Sequence, residues 1–132
     1  MDAEQKKEDL GGLEEVTRPE LVAVVFSVGD REFSIELKYL REISELSEVV
    51  PLPLSPHYIE GITHLRGTAI PVVNMARLKD ISERPGGQRW LMVLEVGENL
   101  LGLVSDQMPD LSTEYRGEII NVPELYETYR VR

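Results

Sequence analysis

Residues 61–73 read Gly61-Ile62-Thr63-His64-Leu65-Arg66-Gly67-Thr68-Ala69-Ile70-Pro71-Val72-Val73. β-Branched residues flank a short polar break, with Ile62 and Thr63 before it and Ile70, Val72 and Val73 after it. Such side chains favour extended backbone, and Leu65-Arg66-Gly67-Thr68 supplies a turn between two strands. Gly67 can take the positive φ that a short hairpin loop often needs. The stretch therefore predicts a β-hairpin with Arg66 near its tip. An arginine there is either an ordinary solvated turn residue or an anchor for a partner.

Outward from this hairpin, the chain repeats one pattern twice. Residues 21–28 (Leu-Val-Ala-Val-Val-Phe-Ser-Val) form an apolar strand, Gly29-Asp30 a turn, and residues 31–37 a return strand with Phe33, Ile35 and Leu37 alternating against polar neighbours. Residues 90–96 (Trp-Leu-Met-Val-Leu-Glu-Val), the turn at Gly97-Glu98-Asn99 and residues 100–104 do the same. Val25 answers to Val93, Phe26 to Leu94, Val28 to Val96, Gly29 to Gly97, Phe33 to Leu101 and Ile35 to Leu103. The correspondence predicts two related β half-domains, about 21–75 and 76–132, each led by a hairpin.

Between the hairpins, Leu37, Leu40 and Ile43 have helical spacing, which predicts a helical turn over 38–41. Residues 49–54 (Val-Val-Pro-Leu-Pro-Leu) are extended, because each proline fixes φ and biases its predecessor away from helix. Ser55 and Pro56 suit the start of a helical turn over 55–59. Residues 74–81 read as a short helical connector, and 82–88, with Pro85-Gly86-Gly87, as a loop. Past Val104, residues 108–115 and 118–122 are candidate strands, and 124–132 a short helix or a tail. Residues 1–20 are polar and charged and read as a disordered or weakly helical acidic arm.

Composition narrows the function. The 132 residues suffice for one compact domain or two very small halves, and 42% of them are hydrophobic. No run approaches the length of a membrane span, and no leader opens the chain, so a cytoplasmic place is expected, with no membrane insertion. There is no cysteine, which removes thiolate catalysis and thiolate metal sites. His57 and His64, the two histidines, have no metal-ligand spacing and stand in no nucleophile motif. No carboxylate pair is placed by a motif, and Gly86-Gly87 lacks the strand-to-helix context of a phosphate loop. No enzyme activity, metal or cofactor is expected. The formal net charge of −10 makes nucleic acid a poor partner.

The hairpin at 61–73 also carries a resemblance. Gly61-Ile-Thr-His-Leu-Arg-Gly followed by Ala69-Ile-Pro-Val-Val-Asn is similar to the signature of the CheW-type chemotaxis coupling proteins, Gly-Val-Ile-Asn-Leu-Arg-Gly then Val-Ile-Pro-Val-Ile-Asp-Leu. His64 stands in place of the usual Asn, and Asn74 in place of the usual Asp. Residues 28–35, Leu40-Arg-Glu-Ile and Leu103-Val-Ser-Asp extend the likeness, which covers about 22–112. The resemblance implies an all-β fold of two side-by-side, five-stranded SH3-like barrels with short helical connectors. It also implies a non-enzymatic adaptor between a chemoreceptor tip and the regulatory domain of the CheA histidine kinase. By position, the receptor contact maps to Leu40, Glu42, Gly61, Arg66 and Gly67. The kinase contact maps to the second hairpin, at Leu94, Val96, Gly97, Leu101 and Leu103. The family normally has a further glycine-rich and apolar strand section before its C-terminus, and here only 118–132 remain. The second barrel is then either open along one edge or closed by another chain, unless 118–122 closes it alone. The alternatives are a small barrel that binds oligonucleotides or a small ligand, and a coupling protein of a non-flagellar chemosensory pathway. An acidic chain with 6% aromatic residues argues against the oligonucleotide reading.

Overall fold

Apolar runs broken by Gly-Asp, Arg-Gly and Gly-Glu turns make hairpins, and hairpins build this structure. The computed structural model describes residues 19–83 and 86–129. In chain order these form β1 (Ala23–Val28), β2 (Arg31–Glu36), a 3-10 turn (Leu37–Tyr39), β3 (Leu40–Leu46), β4 (Ile59–Leu65) and β5 (Thr68–Val73). Then come α1 (Met75–Leu78), β6 (Arg89–Val96), β7 (Asn99–Ser105), β8 (Asp110–Ser112), β9 (Glu118–Ile119) and α2 (Val122–Tyr129). Residues 1–18 of the expected arm 1–20, residues 84–85 of the expected loop 82–88, and the last residues, 130–132, lie outside the described residues.

The strands form two sheets, a first of four strands in the order β8-β1-β2-β9 and a second of five in the order β3-β6-β7-β5-β4. The expected all-β class with short helical connectors is the one observed, with sheets of four and five strands where the resemblance implies two five-stranded barrels. The two hairpins correspond in register as well as in sequence. Phe26 faces Phe33 and Val28 faces Arg31 in one; Leu94 faces Leu101 and Val96 faces Asn99 in the other. Gly29 and Gly97 stand at φ 61° and 62°, the left-handed geometry that glycine adopts without steric cost. The first sheet draws strands from both ends of the described residues, with β8 and β9 joining β1 and β2, while the second is made of the consecutive strands β3 to β7.

The second sheet has two buried faces. Leu46, Ile70, Val72, Leu91, Val93 and Val104 form a cluster on one face that runs from β3 to β5, so the sheet curls around it. On the other face Met92, Leu94, Leu101 and Leu103 meet Val24, Phe26, Phe33 and Ile35 of the first sheet, with Val122 and Leu125 of α2 closing the side. The curl brings the edge strands β3 and β4 towards each other. Val50 and Ile62 exchange two backbone hydrogen bonds of 2.8 Å across this seam, and Thr63 Oγ1 donates to Glu48 O at 2.8 Å. Gly61 belongs to the same seam, because a Cβ there would lie 2.1 Å from Val50 O.

Several local expectations are corrected. The helical turn expected near 38–41 is present as the 3-10 turn Leu37–Tyr39, earlier than expected, and Leu40 already begins β3. The spacing of Leu37, Leu40 and Ile43 reflects packing on the large core from a turn followed by a strand with a bulge between Leu40 and Glu42. Residues 55–58 form bends and turns and Ile59 already begins β4, with Ser55 Oγ donating back to Leu52 O at 2.8 Å rather than capping forward. Of 108–115, only Asp110–Ser112 pairs; of 118–122, only Glu118–Ile119. The two short strands are the edges of the first sheet and not of the one that holds the second hairpin. There the loop 113–117 lies over the outer face of the first hairpin. Ser34 Oγ donates to Arg116 O and accepts from Arg116 N at 2.7 Å, and Gly117 passes so close to Glu32 O that a Cβ would stand 2.0 Å away. This loop accounts for the full burial of Ser34.

Candidate functional site

Leu65 pairs with Thr68, so the loop between β4 and β5 has two residues, Arg66 and Gly67. Both have positive φ, 49° and 81°, the signature of the tight turn whose twist matches a hairpin. Glycine at the second position meets no steric cost; arginine at the first is held in a region L-residues rarely adopt. An ion pair holds it there. Arg66 Nη1 and Nη2 donate to the two carboxylate oxygens of Glu42 at 2.7 and 2.9 Å. The planar guanidinium and the carboxylate meet in the fork-to-fork geometry that only arginine provides.

Glu42 follows the bulge of β3, and the pair therefore spans the same seam as the Val50–Ile62 bridge. The Arg66 side chain is 72% exposed against 26% for Glu42, so the guanidinium is displayed while its anchor is half-buried. The hydrogen bond from Arg66 holds the Glu42 carboxyl below its ordinary value, and Glu42 in turn raises Arg66. A small cleft of about 160 Å³ opens beside the pair, floored by Leu65, Ile70 and Val93. Three of the arginine's five N–H groups are left for a partner's acceptors.

The remaining residues expected at the receptor contact divide. Gly67 is open, with nothing within 4 Å of a would-be Cβ. Leu40 is half-buried and packs on the core. Gly61 is buried, and the space above its backbone is filled by Val49 and Val50 of the same chain rather than left for a helix to approach. Its glycine requirement comes from the seam.

The set expected at the kinase contact needs a larger correction. Leu94, Leu101 and Leu103 are each 0% exposed and belong to the core between the sheets. They have no surface to give a partner. The physical reason is that β6 and β7 are inner strands with both faces covered, so neither face of this hairpin is free. The continuous apolar run of residues 90–94 is the signal that could have shown this, because a strand with one solvated face alternates. What this hairpin does present is its tip. Gly97, Glu98 and Asn99 are exposed, with Glu95 beside them and Val96 half-buried.

One polar cluster escapes a reading of the sequence. Arg89 on β6 donates to both oxygens of Glu60 on β4, at 2.9 and 2.7 Å. Asn74 donates to Glu60 and to Glu83 at 3.0 and 2.7 Å. Arg89, with Asn74 assisting, holds the Glu60 carboxyl below its ordinary value against the opposing effect of burial. These residues are spread over 30 positions, and no local pattern joins them. Among the described residues, no three His, Asp or Glu side chains are grouped to hold a metal ion, and no helix is long and apolar enough to cross a membrane.

Two packed β-sheets with a clasped arginine on a hairpin tip define the class: a small β protein that displays side chains on rigid turns. The CheW-like domain family matches residues 22–123, and the chain belongs to that family. It is 33% identical over 103 residues to a chemotaxis protein CheW of Rhizobium meliloti, covering 77% of this chain and 66% of that one. It is 26% identical over 109 residues to a chemotaxis protein CheW of Thermotoga maritima, covering 81% and 72%. The crystal structure of the scaffolding protein TtCheW from Thermoanaerobacter tengcongensis superposes with a TM-score of 0.63 at 24% identity, over 73% of this chain and 65% of that one. The chain spans 63 to 66% of the length of three of its curated CheW relatives.

Proposed function

We propose that this chain is a non-enzymatic adaptor of chemotaxis signalling, working in the cytoplasm, that couples a chemoreceptor tip to the regulatory domain of a CheA-type histidine kinase. Membership of the CheW-like family supports the reading, as do relatives named as chemotaxis proteins and a structural neighbour named as a scaffolding protein. The observation that carries it is the Arg66–Glu42 clasp. The second sheet holds an exposed arginine rigidly at a turn, with donors to spare and an open glycine beside it. That arrangement recognises a carboxylate or carbonyl on a rod-like partner at little entropic cost, because the side chain is already ordered.

On this reading the receptor meets Arg66, Gly67 and Glu42, with Leu40 adding its exposed part. The kinase meets the tip of the other hairpin, at Val96, Gly97, Glu98 and Asn99. The signal passes by geometry, with the adaptor fixing how two partners stand relative to each other. Titrating the receptor tip with the Arg66→Ala chain tests this. Receptor affinity falls about tenfold or more, as for a truncated arginine anchor, while kinase-domain affinity stays unchanged and the unfolding temperature falls by no more than a few degrees, the loss of an exposed ion pair. Equal receptor affinity in the two chains would remove the clasp from the interface.

A further inference from the structure

Asn74 ends β5 and starts α1, and its side chain serves both neighbours and a third segment. Its Oδ1 accepts from Arg77 N at 3.0 Å, capping α1. Its Nδ2 donates to Glu60 Oε1 at 3.0 Å and to Glu83 Oε2 at 2.7 Å. An amide nitrogen carries two hydrogens, so one side chain satisfies two carboxylates at once. The residue is 4% exposed. Around it stand Arg89 of β6, paired with Glu60, and Arg77 of α1, with Nε 3.9 Å from Glu83. Asp106 after β7 also lines the same cavity of about 420 Å³. It accepts from Gly29 N at 2.7 Å.

Glu83 lies on the connector that leaves α1, and that connector touches the first sheet twice. Ile81 packs on the β1–β2 turn so closely that a Cβ at Gly29 would lie 2.7 Å from its Cγ2. Lys79 donates to Glu118 of β9 at 2.6 Å. Between them Asp80 is held at φ 59°, a strained position for a residue other than glycine.

We propose that Asn74 is a latch: by binding Glu60 and Glu83 together it holds the connector 79–83 on the second sheet, and the connector sets the first sheet against the second. The latch depends on an amide. Aspartate, the residue usual at this position in the resembling family, would still cap α1 but would turn both donations into repulsions between carboxylates. The inference concerns the geometry of the fold and stands whichever partners the chain binds.

The test compares the full chain with Asn74→Asp, Asn74→Asp/Glu83→Gln and Asn74→Ala, by thermal unfolding across pH and by amide hydrogen exchange. In Asn74→Asp a third carboxylate crowds Glu60 and Glu83, and the repulsion is present only while the site is ionised. Relative to the parent, the variant therefore loses stability as pH rises. Its unfolding temperature should lie about 5 °C or more below the parent at pH 7.5, with the gap closing towards about pH 5. Adding Glu83→Gln should restore most of the loss, because the glutamine amide can donate to the introduced aspartate. Asn74→Ala, which loses the donors and the α1 cap without adding a charge, should show a smaller deficit that closes only in part with acid, because the lost cap does not titrate. The Gly29 and Ile81 amides should exchange faster in Asn74→Asp while those of β6 and β7 keep their rates. A chain that folds at pH 5 and not at pH 7.5 is an extreme form of the same result. An unchanged pH profile, no rescue by Glu83→Gln, exchange raised equally in β6 and β7, or failure to fold at both pH values would overturn the latch.

Discussion

Arg66 sits in the left-handed region, where an L-residue is strained by about 1 kcal/mol or more, and two hydrogen bonds to Glu42 hold it there. The turn itself is legible from Gly67 and its neighbours, because turn chemistry is local. The partner Glu42 is legible only through the family resemblance, since it stands 24 positions away and meets Arg66 through the curl of a sheet. Gly61 shows the opposite error. A glycine reads as open backbone, but here Val50 already occupies the approach. Glu60 makes a prediction of its own. Its folded carboxyl lies below the ordinary value of 4.5, chiefly through the Arg89 hydrogen bond. A depressed acid contributes stability above its unfolded pKa and loses it as pH falls through the folded one. Unfolding measured across pH should therefore show stability dropping below about pH 4.5, and Glu60→Gln should flatten that limb. The same variant should cost about 1–2 kcal/mol at neutral pH, where the charged hydrogen bonds to Arg89 are weakened. An acid limb as steep in Glu60→Gln as in the parent would place the effect elsewhere.

Among the elements, the two hairpins are legible in the sequence, because each is a contiguous run with its own turn. What the hairpins pack against is less so. The reading of the sequence puts the second hairpin on the weaker, strand-poor half, yet β6 and β7 lie in the middle of the larger sheet with neighbours on both sides. The short pieces, β8 and β9, flank the first hairpin instead, and the loop 113–117 takes over the covering that strands would give. Strands as short as these give no periodic signal, and their partners lie up to 89 positions away, as Ala23 and Ser112 show. Leu40–Leu46 misleads for a related reason: a bulge breaks its alternation, and the remaining apolar spacing imitates a helix. Hydrogen exchange on the dilute monomer follows from the topology. Amides of β6 and β7 should exchange at least as slowly as those of β1 and β2, and more slowly than those of β8 and β9. Faster exchange across residues 91–104 than across 23–36 would contradict the observed strand order.

The whole molecule is two sheets that share one core and are tied by a connector, with a rigid hairpin tip on each of two hairpins. Its all-β class follows from alternation, turn residues and the duplicated hairpins; the interleaving of strands from both ends of the chain does not, because no local rule pairs residue 24 with residue 111. An adaptor needs this kind of body, one that sets two contact points at a fixed separation and changes neither on binding. The net charge of −10 fits a chain that meets other proteins and repels nucleic acid. The direct measurement is a three-component capture. An immobilised chemoreceptor tip is mixed with a CheA-type kinase regulatory domain, with and without this chain, and the retained kinase domain is quantified. The account predicts that the kinase domain is retained only when the chain is present, and that Arg66→Ala reduces the retention. Equal retention without the chain, or none with it while each binary affinity is also absent, would contradict the adaptor reading.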